Sequence, residues 1–199
     1  MGPRCGGRDM SRHHRPVIHQ CREVAASRLF RIESLELEFA NGNRRTFERL
    51  RSPDRGAVMI VAQPDPEHVL LIREYAAGID DYVLTLPKGV IDPGEDMITA
   101  ANRELQEECG FSAARLEPLI ELSLAPNYMN HRISVIMASN LEPSRLPGDE
   151  PEPLTVETVA LEQLDTLLAT GELHEGRAVA ALLLVRERLR ENQELPALW

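Results

Sequence analysis

The stretch GVIDPGEDMITAANRELQEECGF, residues 89–111, constrains the chain more than any other. Pro93-Gly94 marks a loop. From about Asp96 the apolar residues Met97, Ala100, Ala101, Leu105 and Cys109 recur at helical spacing, a narrow stripe that predicts an amphipathic helix with one buried face. Gly110 stands where such a helix ends in the left-handed region. Glu104, Glu107 and Glu108 fall on the i, i+3, i+4 pattern and so share a face. Like charges on one helical turn repel. A divalent cation removes that repulsion, and carboxylate oxygens are hard ligands suited to Mg²⁺ or Mn²⁺. Magnesium pairs one or two carboxylates with substrate phosphate, so an acidic turn of this kind is also a candidate polyphosphate site. Arg103, next to Glu104, is placed to pair with a carboxylate and orient it.

The rest of the chain predicts an α+β fold. Residues 28–50 read as two strands about Asn41-Gly42, a two-residue hairpin signal. Leu35, Leu37 and Phe39 share one face, while Phe30 and Ile32 are out of phase with them, which predicts a bulge near Ser34. AVMIVAQ (57–63) is a buried strand, VLLIREY (69–75) a second, and the turn PDPEH between them predicts a hairpin. DYVLTLP (81–87), LIELSL (119–124) and RISVIMA (132–138) read as strands. LTVETVAL (154–161) reads as a strand leading into a helix over 161–170, and a last helix is expected over 176–191. EPSRLPGDEPEP (142–153) is a long acidic loop of the kind that is often functional.

Charge and cysteines narrow the function. The net charge of −10 repels nucleic-acid backbone and anionic membrane, which excludes a general nucleic-acid binder. No apolar run is long enough to span a bilayer. Three cysteines at irregular spacing (Cys5, Cys21, Cys109) give neither a disulfide framework nor a zinc pattern, which points to a reducing cytoplasm. Residues 1–20 read as a disordered basic tail, 21–52 as N-terminal strands and 53–199 as the main domain.

Gly89, Glu95, Arg103, Glu104, Leu105, Glu107, Glu108, Gly110 and Phe111 together match every position of the Nudix hydrolase signature. The chain resembles that family, and within it the ADP-ribose pyrophosphatase branch and the bacterial ADP compounds hydrolases. The wider likeness rests on residues 27–50, on AVMIV and VLLIREYAAG, and on GDEPEPL. It implies a mixed β-sheet sandwiched between helices (α/β/α) with an added N-terminal β-hairpin. It implies Mg²⁺-dependent hydrolysis of a nucleoside diphosphate linked to another group, X, with Mn²⁺ as a substitute. Glu104 and Glu108 would be the main metal ligands, and Glu107 and the carbonyl of Lys88 further ones. Gly89, Glu95 and Gly110 would be structural, with Glu95 pairing Arg103. In this branch a glutamate on the acidic loop serves as general base or extra ligand, for which Glu150 and Glu152 are the candidates. The catalytic candidates are Glu107, Glu108, Glu150 and Arg103, with Glu150 or a signature glutamate taking the proton from water.

The resemblance also implies a homodimer whose N-terminal strands help form the partner's substrate site. Arg49 and Arg73, with Lys88, are candidates to meet the ligand's negative charge. Where ADP-ribose pyrophosphatases often carry an arginine, this chain has Ala76, which favours a broader ADP-X range (ADP-ribose, NADH, diadenosine polyphosphates). Tyr75, Tyr82, Tyr128 and Phe30 are candidates to stack on adenine, with core packing the expected role for any one of them. His131 is read as a strand-start residue rather than a base. The rival readings are a pyrophosphatase for another nucleotide sugar, such as GDP-mannose, and a nucleotide-sensing Nudix domain without catalysis.

Overall fold

The computed structural model describes residues 14–52 and 55–191. The chain forms two compact units. One holds the residues up to Ser52 together with Ala125–Asn130, and the other the remainder.

The first unit is a three-stranded antiparallel sheet in the order β1-β2-β3. β2 (Arg31–Glu38) and β3 (Arg44–Leu50) form a hairpin about Asn41-Gly42 as expected, but residues 39–43 rather than two residues connect them, with the Gly42 amide donating to the Phe39 carbonyl and Gly42 at φ +82°. Asn41 Oδ1 accepts from the Asn43 amide at 3.0 Å and tightens the turn. The pairing of β2 with β3 is continuous from Ile32 to Glu38, so the bulge expected near Ser34 is absent there. Irregularities lie instead in β1 (Val17–Ala26), between Ile18 and Gln20 and between Glu23 and Ala25. β1 begins inside the stretch read as tail, which moves the expected boundary from residue 20 to before Val17; residues 1–13 lie outside the described residues. Its sequence, VIHQCREVAA, mixes apolar and polar residues without clean alternation, and the strand is exposed along its whole length. The segment 125–130 is fastened to the end of this sheet. The Leu50 amide donates to the Tyr128 carbonyl at 2.8 Å, and the Ser52 amide to Asn130 Oδ1 at 2.7 Å.

The second unit holds two sheets. A four-stranded mixed sheet has the order β7-β4-β9-β8, and a three-stranded antiparallel sheet the order β10-β5-β6. The strands are β4 (Ala57–Ala62), β5 (His68–Ala76), β6 (Asp81–Thr85), β7 (Lys88–Val90), β8 (Phe111–Ser123), β9 (Arg132–Pro143) and β10 (Thr155–Ala160). The hairpin expected between β4 and β5 does not form. β4 runs parallel to β9 and antiparallel to β7, while β5 pairs with β6 and β10. Strands that are apolar on both faces belong at sheet centres, where each takes two neighbours and two covering layers.

Helices supply those layers. Val58, Ile60, Ala62, Leu70, Ile72, Ile136 and Ala138 pack with Ala100, Ala101, Leu105 and Cys109 of the helix that starts at Met97. The opposite faces of the same strands (Met59, Val61, Val69, Leu71, Ile133, Val135) pack with Leu164 of α2 (Leu164–Thr170) and Ala178, Ala181, Leu182 and Val185 of α3 (Gly176–Glu191). The alternation along each strand thus sorts its side chains between two helical layers. Among the described residues no helix is long and apolar enough to cross a membrane.

Candidate active site

Helix α1 (Met97–Glu104) begins at Asp96, whose carboxylate accepts from the amides of Ile98 and Thr99 at 2.9 Å each. Beyond Glu104 the backbone widens into a π-type turn, Leu105–Cys109, closed by Gly110 at φ +78°. Such widened turns occur often at functional sites. Here the turn carries Glu107 and Glu108 and buries Glu108 to 7% exposure. The three glutamates therefore do not form a solvated face.

Arg103 organises the cluster. It grips Glu95 with two contacts of 3.1 Å, reaches Glu104 and Glu107 at 2.8 Å each, and donates to the Val90 carbonyl at 2.9 Å. The expected Glu95–Arg103 pair is present, and it holds the Glu95 carboxyl below the usual range. Glu108 Oε2 accepts from the Lys88 amide at 2.9 Å, and the Lys88 ammonium pairs with Glu74. Gly89 is required for space: a Cβ there would lie 1.9 Å from Glu104 Oε1. The Glu104 carboxylate thus lies directly against the β7 backbone.

Burial pushes the Glu108 carboxyl up to about 8, opposed by the Lys88 amide and reinforced by the charges of Glu104 and Glu74. Burial raises Glu104 as well. Both shifts come chiefly from burial, which disfavours the charged carboxylates.

The acidic loop joins this turn. Its start is fixed by the Ser144 amide to the Gly110 carbonyl (3.0 Å), Ser144 Oγ to Gln106 Oε1 (2.8 Å) and the Leu146 amide to the Gln106 carbonyl (3.3 Å). A cavity of about 320 Å³ lies between loop and turn, lined by Glu104, Glu107, Glu108, Arg145 and residues 146–154. A neighbouring one of about 420 Å³ is lined by Lys88, Gly89, Val90, Asp92, Arg103, Glu104, Glu107 and residues 147–150. Seven carboxylates (Asp92, Glu104, Glu107, Glu108, Asp149, Glu150, Glu152) face three cations (Lys88, Arg103, Arg145) across the two. Glu150 lines both cavities, and burial followed by the charges of Glu74 and Asp149 raises its carboxyl.

Among the described residues no three acidic, His or Cys side chains close on one point as a ready ligand set. The donors nonetheless suit Mg²⁺, which takes one or two carboxylates and fills its shell with water and ligand oxygen. An acid-rich cleft with desolvated carboxylates and a glycine leaving room for one of them fits a divalent cation.

Other sequence candidates fall elsewhere. Arg73 pairs with Glu157 and Glu172 and lines neither cavity; two carboxylates already neutralise it, which argues against a role in anion capture. Arg49 lies in the N-terminal sheet and pairs with Glu33 at 2.8 Å. Glu152 lines the first cavity, but its carboxylate accepts from the Tyr82 hydroxyl. Tyr75, Tyr82, Tyr128 and Phe30 are not packed in a core as expected; each is about half exposed or more. Tyr75 and Tyr82 meet edge-on, with centroids 5.7 Å apart. His131 stands immediately before β9, as expected. Glu74, Asp149 and Arg145 escaped the sequence reading. Glu74 looks like an ordinary strand residue until β5 is seen to carry it to Lys88.

The model for the NudE-type Nudix hydrolase N-terminal domain matches residues 16–49, and that for the NUDIX domain matches residues 53–188. The chain is 49% identical over 176 residues to the ADP compounds hydrolase NudE of Escherichia coli, covering 88% of this chain and 94% of that one. It is 25% identical over 162 residues to an ADP-ribose pyrophosphatase of Bacillus subtilis, covering 79% and 86%. A solved ADP compounds hydrolase superposes with a TM-score of 0.85 at 46% identity, over 93% of this chain and 100% of that one. The complete signature, the carboxylate cleft it builds and the two matched domains place this chain in the Nudix hydrolase family, with an N-terminal domain of the NudE type.

Proposed function

We propose that the protein is a Mg²⁺-dependent pyrophosphatase that hydrolyses ADP-linked compounds (ADP-ribose, NADH and diadenosine polyphosphates) to AMP and X-phosphate. The observation that carries the reading is the pairing of two desolvated carboxylates, Glu104 and Glu108, with an acid-rich cleft closed by the Glu150 loop. The names of the relatives supply the substrate class.

Mg²⁺, or Mn²⁺ in its place, would neutralise charge on the pyrophosphate oxygens and lower the pKa of an attacking water. Glu104 and Glu108 would hold the ion, with Glu107 and the Lys88 carbonyl as further donors. Arg103 fixes the directions of Glu104 and Glu107 through its paired contacts. Glu150 takes the proton from the attacking water; burial and the charges of Glu74 and Asp149 raise its affinity for protons, which favours that role. Water adds across one P–O bond of the anhydride and the other phosphate leaves.

The reading extends to a homodimer formed through the N-terminal strands, supported by the exposed apolar side chains Val17, Ile18, Val24, Phe30 and Phe47 of that unit. It extends also to a reducing cytoplasm, supported by two free cysteines, exposed Cys21 and buried Cys109.

The test is Mg²⁺-dependent turnover on ADP-ribose, NADH, diadenosine triphosphate and GDP-mannose, with nucleotide products resolved by chromatography. AMP from the adenine substrates is expected. Preferred release of GMP from GDP-mannose would favour a nucleotide-sugar enzyme. Nucleotide binding without any turnover would make the domain a sensor.

A further inference from the structure

We propose that Glu74 is a positioning residue that holds the Lys88 ammonium away from Glu108 and Glu150, keeping those carboxylates available to a divalent cation. The inference rests on the metal-dependent reading above and deepens it.

β5 delivers Glu74 to this place. Leu70 and Ile72 point into the core shared with α1, and Glu74 is the next residue on that face. Its carboxylate pairs with the Lys88 ammonium, and the two side chains are only 27% and 18% exposed. A buried ammonium needs a counterion. Three carboxylates lie within its electrostatic reach: Glu74, Glu108 and Glu150. Lys88 also carries the amide that orients Glu108 at 2.9 Å.

The consequence follows from charge. An ammonium is a compact point charge on a flexible stem. Without Glu74 it would settle on Glu108 and Glu150, where it would compete with an incoming cation. With Glu74 present it is anchored to β5, outside the turn. The signature motif does not include Glu74.

Mn²⁺ binding to the full-length protein, measured without nucleotide by titration calorimetry and by the Mn²⁺ spin-resonance signal, tests this. The expected result is that Glu74→Gln weakens Mn²⁺ binding by at least about tenfold, the effect of one nearby positive charge in a partly buried site. Adding Lys88→Met to Glu74→Gln is expected to restore binding toward the wild-type level. Lys88→Met alone is expected to bind at least as well as wild type, which keeps the proposal testable if Glu74→Gln fails to fold. A Glu74→Gln variant that binds like wild type overturns the proposal. So does a double variant weaker than either single one, the additive pattern of a purely structural role. Wild-type protein that takes up no Mn²⁺ would overturn the metal reading itself, and this inference with it.

Discussion

Glu108 is held in a chemically costly state. Its carboxyl is pushed up to about 8, so at neutral pH and without metal it retains its proton. Its value in an unfolded chain is about 4.5. Between these values the folded state binds more protons than the unfolded one, so stability present below about 4.5 is lost as pH rises through about 8. The melting temperature in EDTA is therefore expected to fall between pH 5.5 and pH 8.5. Mg²⁺ is expected to narrow the difference, because binding requires the deprotonated carboxylate. A metal-free protein that gains stability over that range would contradict this assignment. Glu108→Gln is expected to flatten the slope and to lower turnover by at least about 10², the size of losing one key electrostatic group. Gly89→Ala is expected to cut turnover at least about tenfold, because a 1 Å displacement of a catalytic group can cost more than that; kinetics on ADP-ribose would measure it. The roles of Arg103 and Glu95 were legible as a motif. The reason for Gly89 was not, since nothing in the sequence reveals that a carboxylate lies against its α-carbon.

The helix and its terminating turn were readable from periodicity, because the stripe from Met97 to Cys109 serves a real buried face. The π-type widening was not readable. One residue of slack changes no pattern of apolar spacing, yet it accompanies the burial of Glu108. Gly110→Ala is expected to cost about 1–3 kcal/mol for its left-handed backbone, with Arg145 adding a clash at 2.9 Å; urea unfolding would measure the loss. Pairing between strands was also hidden. A strand apolar on both faces reveals that it is central but not which neighbours flank it, so β4 and β5 looked like a hairpin when each takes other partners. The acidic loop stood out as a candidate by its length and composition, and it lines both cavities. Its attachment through Gln106 and Ser144 was not, since both are common polar residues.

The α+β class was visible in the whole chain because strand-like and helix-like patterning alternate irregularly along it. β1 was missed because a strand exposed throughout lacks the alternation that burial imposes. That exposure motivates the dimer: Val17, Ile18 and Val24 are apolar and exposed on a strand at the sheet edge. Ile18→Glu together with Val24→Glu is expected to shift sedimentation from dimer toward monomer, while a wild-type protein that sediments as a monomer would remove the proposal. Every site role above depends on the acidic turn binding metal against a diphosphate. A crystal structure with Mn²⁺ and a non-hydrolysable ADP-ribose analogue, read by anomalous scattering, tests this. Manganese peaks are expected on Glu104 and Glu108 in contact with the diphosphate oxygens. Manganese absent from that turn, with the diphosphate bound elsewhere, would contradict it.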